Sequence, residues 1–90
     1  MDLGLQGRKA IVTGGGRGIG RWITKTLLEE GCSVAICGRT QSNVEETVAE
    51  FSSIGTIYGA SVDVTDADRF QSWIGEAAGQ LGGLDLVVLN

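Results

Sequence analysis

Apolar and polar positions along this chain alternate between two periods. Ala10-Ile11-Val12-Thr13 is a short run with no charged interruption, and mostly apolar runs recur at 33–37, 56–62 and 84–89, the last broken only by Asp85. Short stretches that stay apolar on successive residues suit strands of a parallel sheet covered on both faces. Between them the spacing lengthens to three and four residues, which predicts helices. Ile19, Trp22, Ile23, Thr26 and Leu27 form the stripe of a first helix over 18–30, and Val44, Val48 and Phe51 that of a second. Phe70, Trp73, Ile74, Ala77, Ala78 and Leu81 give a third, the most regular of the three. Stop and start signals agree with these divisions. Gly31 suits a helix C-cap, Ser42-x-x-Glu45 has the spacing of a capping box, Gly55 parts helix from strand, and Asp66 suits an N-cap. Gly82-Gly83 ends the third helix, and residues 3–9 form a lead-in.

Strand, helix, strand, helix, strand, helix, strand predicts an α/β fold with a doubly wound parallel sheet of the three-layer Rossmann type. Right-handed crossovers put the first two helices on one face and the third on the other, with strand order 3-2-1-4. The chain reverses direction at the first strand, which opens a crevice beyond the strand ends. No repeat or linker interrupts the pattern, so 1–90 reads as one unit, the N-terminal part of a dinucleotide-binding domain.

Composition narrows the function. The chain has 42% hydrophobic and 20% charged residues, as a globular protein does, and a formal net charge of −4 with no basic stripe, so nucleic acid is not an expected partner. Met1-Asp2-Leu3-Gly4 lacks the basic start and apolar core of a secretory leader, and no apolar run approaches membrane-spanning length. The expectation is a soluble cytoplasmic protein without a membrane partner. Histidine is absent, and the two cysteines lie five apart across a strand, where side chains alternate between faces. No metal site is expected, and Cys32 and Cys37 read as small buried hydrophobes rather than reactive thiols.

The chemistry concentrates where the first strand meets its helix, at Thr13-Gly14-Gly15-Gly16-Arg17-Gly18-Ile19-Gly20. Glycines leave the backbone bare and free to turn, and the helix start that follows carries unpaired N–H groups and a positive dipole end. A pyrophosphate is favoured there. A Walker loop is excluded because Gly20 is followed by Arg21-Trp22 rather than Lys-Ser/Thr, and no trio of these glycines has G-x-G-x-x-G spacing. The Thr-Gly-x-x-x-Gly-Ile-Gly that remains resembles the cofactor loop of the short-chain dehydrogenase/reductase family, classical type. The alternative is a glycine-rich turn without a ligand.

Other positions refine the cofactor. An acid at the end of the second strand normally accepts from the adenosine ribose and repels a 2′-phosphate. Here Gly38 stands in that place, eighteen residues past Gly20, and Arg39 follows. A guanidinium without a carboxylate suits a phosphate, and Arg17 in the glycine loop approaches from the other side. In the resembling family, basic residues at these two places go with NADP rather than NAD; the alternative is two solvated surface charges. Asp63-Val64 matches the family pattern in which the carboxylate accepts from the adenine amino group and the next residue packs nearby, although an aspartate there also suits a turn before Asp66. Asn90 aligns with the second asparagine of the family's Asn-Asn-Ala-Gly turn, with Leu89 where the first would stand; it faces the ribose or bonds neighbouring backbone. The resemblance thus implies cofactor-binding residues Gly14, Gly16, Arg17, Gly18, Ile19, Gly20, Arg39, Asp63, Val64 and Asn90, with NADP (NADPH) as cofactor and NAD second.

The resemblance covers only the cofactor-binding half of a family member. The family's catalytic serine and Tyr-x-x-x-Lys pair lie on later elements, and Tyr58, with Val62 four positions on, does not supply them. No catalytic residue is assigned. The implied function is the NADP(H)-binding portion of a short-chain oxidoreductase acting on a small carbonyl or alcohol, homo-oligomeric in the full enzyme. A non-catalytic dinucleotide-binding module and an inactive fragment are the alternatives. Alone, the chain would expose Leu86-Val87-Val88-Leu89 as a sheet edge. It is expected to aggregate, to pair with itself, or to be part of a longer enzyme.

Overall fold

The computed structural model of the chain describes residues 4–90. Residues 1–3, which include the first residue of the lead-in, lie outside them. The elements follow in the order β1 (Lys9–Thr13), α1 (Gly18–Glu29), β2 (Ser33–Gly38), α2 (Gln41–Phe51), β3 (Ile57–Ser61), α3 (Ala67–Leu81) and β4 (Leu86–Val88). All strand pairs are parallel, in the order β3-β2-β1-β4. The Rossmann-like topology expected from the alternating periods is the one observed.

The two central strands are apolar in their interiors, at 10–12 and 34–37, because both their faces are covered. On one face Ala10, Val12, Val34 and Ile36 meet Leu28 of α1 and Val44 and Phe51 of α2. On the other, Ile11, Ala35 and Cys37 meet Trp73, Ala77 and Leu81 of α3. Ile11, Val12, Val34 and Ile36 are 0% exposed, and each side chain of this size contributes about 1.5–3 kcal/mol when removed from water. Cys32 and Cys37 fall in opposite clusters, as their spacing predicts. Tyr58 is half-buried beside the second cluster.

Two local expectations are corrected. The buried side of α1 is Gly20, Thr24 and Leu28, flanked by half-buried Ile23 and Leu27, while Ile19 and Trp22 are 71% and 68% exposed. The helix is rolled by about one residue from the stripe of largest apolar side chains. Its first turn must bring Gly20 against the loop, and Thr24 tolerates burial because its hydroxyl donates to the Gly20 carbonyl at 2.8 Å. In α2 the capping box does not form. The N-cap is Thr40, without a side-chain cap bond, so Ser42 is already helical, and Glu45 accepts from Gln41 one turn back at 2.8 Å. Asp66 does cap α3, accepting from the Arg69 N–H, and Gly82 closes that helix with φ +80°.

At the sheet's flank β4 is an edge strand, with Val87 47% and Leu89 75% exposed. It is shorter than expected; before it, Asp85 bonds β1 with a side chain as well as backbone, its carboxylate accepting from the Lys9 N–H at 2.9 Å and its own N–H donating to the Lys9 carbonyl at 2.8 Å. Among the described residues no helix is long and apolar enough to cross a membrane, and no three His, Cys, Asp or Glu gather to hold a metal.

Two predictions follow from this packing. A Cβ at Gly15 would lie 2.5 Å from the Ile36 Cγ2 and 3.0 Å from the Thr24 Oγ1. Gly15→Ala therefore loses about 1–3 kcal/mol in urea unfolding, as overpacked cores do, and an unchanged midpoint would contradict the packing. Burial raises both thiols above their ordinary value of 9.0, Cys32 with added repulsion from Glu30 and Asp85. Their protonated form is the one the fold favours, so their contribution is complete below the unfolded value and is lost as pH rises past it. Stability should fall on the alkaline side, and a thiol reagent at pH 7.5 should label the native protein far more slowly than the urea-unfolded chain. Equal labelling rates would refute this.

Candidate coenzyme site at the carboxyl edge of the sheet

A parallel sheet brings the C-terminal ends of all its strands to one edge, and here the loops leaving them enclose a groove of about 230 Å³. After β1 the chain turns at once into glycine. The Gly14 and Gly15 N–H groups donate to the Cys37 carbonyl at 2.8 and 3.3 Å, which carries the loop across the end of β2. Gly14 and Gly18 have φ of +65° and +58°, a left-handed conformation that favours glycine. Gly20 has no such angle. It is required for closeness instead: a Cβ there would collide with the Gly14 carbonyl and come within 2.6 Å of the Asn90 Nδ2.

The first turn of α1 adjoins this groove in a favourable electrostatic state for an anion. Arg17, in extended conformation, is its N-cap; no side chain caps the helix and no acidic residue lies in the first turn. A Cβ at Gly18 would meet nothing within 4 Å, so the space beside that residue is open. These bare donors suit the pyrophosphate expected from the glycine spacing.

Of the residues expected to bind cofactor, Gly14, Gly16, Arg17, Arg39, Val64 and Asn90 line the groove together. Gly18, Ile19 and Gly20 form the adjoining first turn of α1. Asp63 is not on the lining. Its Oδ1 accepts from the Thr65 N–H at 2.9 Å and the Thr65 hydroxyl at 2.7 Å, holding the turn that leads to Asp66, while Oδ2 lies 3.8 Å from the Arg39 Nη2. Asn90 is bonded to the end of β1 and to the glycine loop: its N–H donates to the Thr13 Oγ1 at 2.9 Å and its Nδ2 to the Gly14 carbonyl at 3.4 Å. The groove also takes in Thr13, Gly38, Thr40, Asn43, Val44 and Val62, which were not singled out as ligands. Asn43 is the one with a legible signal, a polar residue in the first turn of a helix that starts beside the Arg39 loop.

Arg39 is 77% exposed, so its 3.8 Å contact with Asp63 is a screened surface pair rather than a sequestered one. The Asp63 carboxyl is held below its ordinary 3.8, first by the Thr65 hydroxyl, then by the Thr65 N–H, with a smaller pull from Arg39. The turn is therefore supported above that ordinary value, and the support is lost as pH falls through the lowered one. Thr65→Ala should move the Asp63 titration upward, followed by carboxyl NMR; a midpoint that stays in place would rule out the Thr65 hydroxyl as the main cause and leave the residue-65 N–H and Arg39.

The same architecture occurs in solved enzymes. The structure of a hydroxysteroid dehydrogenase from Escherichia coli superposes with a TM-score of 0.90 at 30% identity, covering 96% of this chain and 37% of that one. Among curated sequences, the uncharacterized oxidoreductase YvrD of Bacillus subtilis (strain 168) is 37% identical over 90 residues, and L-xylulose reductase of Bos taurus 40% identical over 90. Each alignment takes in 100% of this chain and 34% of the relative, so the chain spans about a third of the length of the proteins it matches. The family model for short chain dehydrogenases matches residues 8–90, a stretch that runs from the β1 lead-in through the glycine loop to Asn90. This chain belongs to the short-chain dehydrogenase family.

Proposed function

We propose that residues 1–90 are the N-terminal part of a dinucleotide-binding domain and form the NADP(H)-binding portion of an oxidoreductase acting on a small carbonyl or alcohol. The observation that carries this reading is the groove itself, in which a bare helix start and two arginines, Arg17 and Arg39, meet at the carboxyl edge of the sheet. The family uses nicotinamide coenzymes, and the choice of NADP over NAD is inferred from charge. At the end of β2 stands Gly38 rather than an acid, and Arg39 offers a forked, permanently charged donor to a 2′-phosphate. Names such as L-xylulose reductase and hydroxysteroid dehydrogenase among the relatives support carbonyl or alcohol chemistry.

In this reading the nicotinamide, when bound, supplies or receives the hydride exchanged with substrate. The chain's own part is to bind and orient. The α1 start and the N–H groups of Gly18 to Gly20 hold the pyrophosphate, Arg17 and Arg39 hold the 2′-phosphate, and Val64 lies along the adenosine side of the groove. Asp63 holds the turn that carries Val64 and reaches the adenine amino group through its second oxygen, and Asn90 closes the far wall. The proposed partners are the small-molecule substrate and further copies of the protein in a homo-oligomer, in a cytoplasmic setting.

The test is titration with NADPH and NADH, followed by calorimetry. NADPH should bind more tightly, and Arg39→Asp should weaken it by about 1–3 kcal/mol, the loss of a charged hydrogen bond, while leaving NADH far less affected. A preference of the unmodified protein for NADH would overturn the assignment of NADP.

A further inference from the structure

The glycine loop is gripped from a second side, by a side chain of α2 that no cofactor pattern includes. Thr47 is 0% exposed and its hydroxyl stands between three groups. It receives a hydrogen bond from the Arg21 Nη1 of α1 at 2.8 Å, and it lies 2.8 Å from the Asn43 carbonyl and 3.2 Å from the Gly16 carbonyl. The Asn43 contact is the ordinary back-bond of a helical threonine. The Gly16 contact crosses 31 positions of sequence and ties α2 to the loop.

The proton arithmetic gives Arg21 its part. A hydroxyl has one proton to donate, and a guanidinium only donates. With Arg21 occupying an acceptor lone pair, the Thr47 proton is turned toward the two carbonyls and shared between them. Arg21 is itself fixed, paired with Glu50 and seated 4.8 Å above the Phe51 ring centroid. An independent observation shows the loop pressed on α2 at the same point: a Cβ on Gly16 would already stand 3.4 Å from the backbone of Asn43 and Val44.

We infer that Thr47, oriented by Arg21, is a positioning residue for the coenzyme's 2′-phosphate. The Gly16 carbonyl and the Arg17 N–H belong to one planar peptide, so holding that oxygen fixes the plane from which the Arg17 side chain departs. Arg17 lines the groove with Arg39, so the grip on Gly16 sets where one of the two phosphate-facing cations stands. Thr47 touches no coenzyme and acts through Arg17. The inference rests on the NADP(H) reading above and adds to it a determinant of specificity outside the glycine loop.

The test measures NADPH and NADH affinities by calorimetry for the unmodified protein, Thr47→Val, Thr47→Ser and Arg21→Leu, with circular dichroism to establish folding. Valine keeps the volume and removes the proton; serine keeps the proton. Thr47→Val should weaken NADPH about tenfold and NADH by much less, and Thr47→Ser should restore NADPH to within about twofold, a rescue that follows the hydroxyl rather than the packing. Arg21→Leu, a change at a half-buried surface position, should lower the NADPH/NADH ratio in the same direction and carries the test if the valine variant does not fold. An unchanged ratio in Thr47→Val or in Arg21→Leu, or a serine variant as weak as the valine one, would overturn the inference while leaving the proposed function intact. Failure of the unmodified protein to favour NADPH would overturn both.

Discussion

The fold turns on one close approach, the seating of the first turn of α1 against the carbonyl of Gly14. At Gly20 a single added carbon would strike that carbonyl, so the helix comes as near to the end of β1 as a backbone allows. This contact fixes how α1 is rolled. It sends Thr24 and Leu28 toward the sheet and leaves Ile19 and Trp22 on the outside. It also sets the start of the helix, with its unpaired donors, next to the groove that Gly14, Gly16 and Arg17 line. Packing, helix orientation and anion affinity are set together by the absence of one methyl group.

Around that contact the structure holds the loop from three directions. The end of β2 receives the Gly14 and Gly15 N–H groups through the Cys37 carbonyl. The end of β4 reaches back through Asn90 to Thr13 and to the Gly14 carbonyl, and Thr13 in turn donates to the Val88 carbonyl at 3.4 Å. From the third side α2 supplies Thr47. A loop of three consecutive glycines would lose much entropy on ordering, and these bonds offset it before any ligand arrives. The outcome is a preformed cradle whose rim carries the two arginines and whose floor is the buried end of the central strands.

Charge is distributed in keeping with this division. The chain is acidic overall, yet the first turn of α1 contains no acid, and Asp63, beside Arg39, is engaged mainly by Thr65. An exposed ion pair at 3.8 Å is largely screened by solvent, so Arg39 is not withdrawn from the groove by its neighbour. The acid instead builds the turn that carries Val64 to the groove wall.

The sequence by itself determined the elements, their order and the layering. Uninterrupted apolar runs demand a sheet covered on both faces, three- and four-residue spacing demands helices, and right-handed crossovers then leave little freedom in strand order. It also located the glycine loop and the residues of the carboxyl edge, because turns and strand ends are written in residue type. Only the tertiary structure decided the roll of α1, since periodicity ranks side chains by size while the requirement at Gly20 is for closeness. Only it showed Ser42 inside a helix that begins at Gln41, Asp63 occupied with its own turn, and Thr47 at the back of the loop. The seating of Gly20 and the reach of Thr47 to Gly16 depend on which atoms come within about 3 Å of one another once the chain is folded, and the turn at Asp63 on which of several local partners its carboxylate takes; residue pattern carries no measure of those distances.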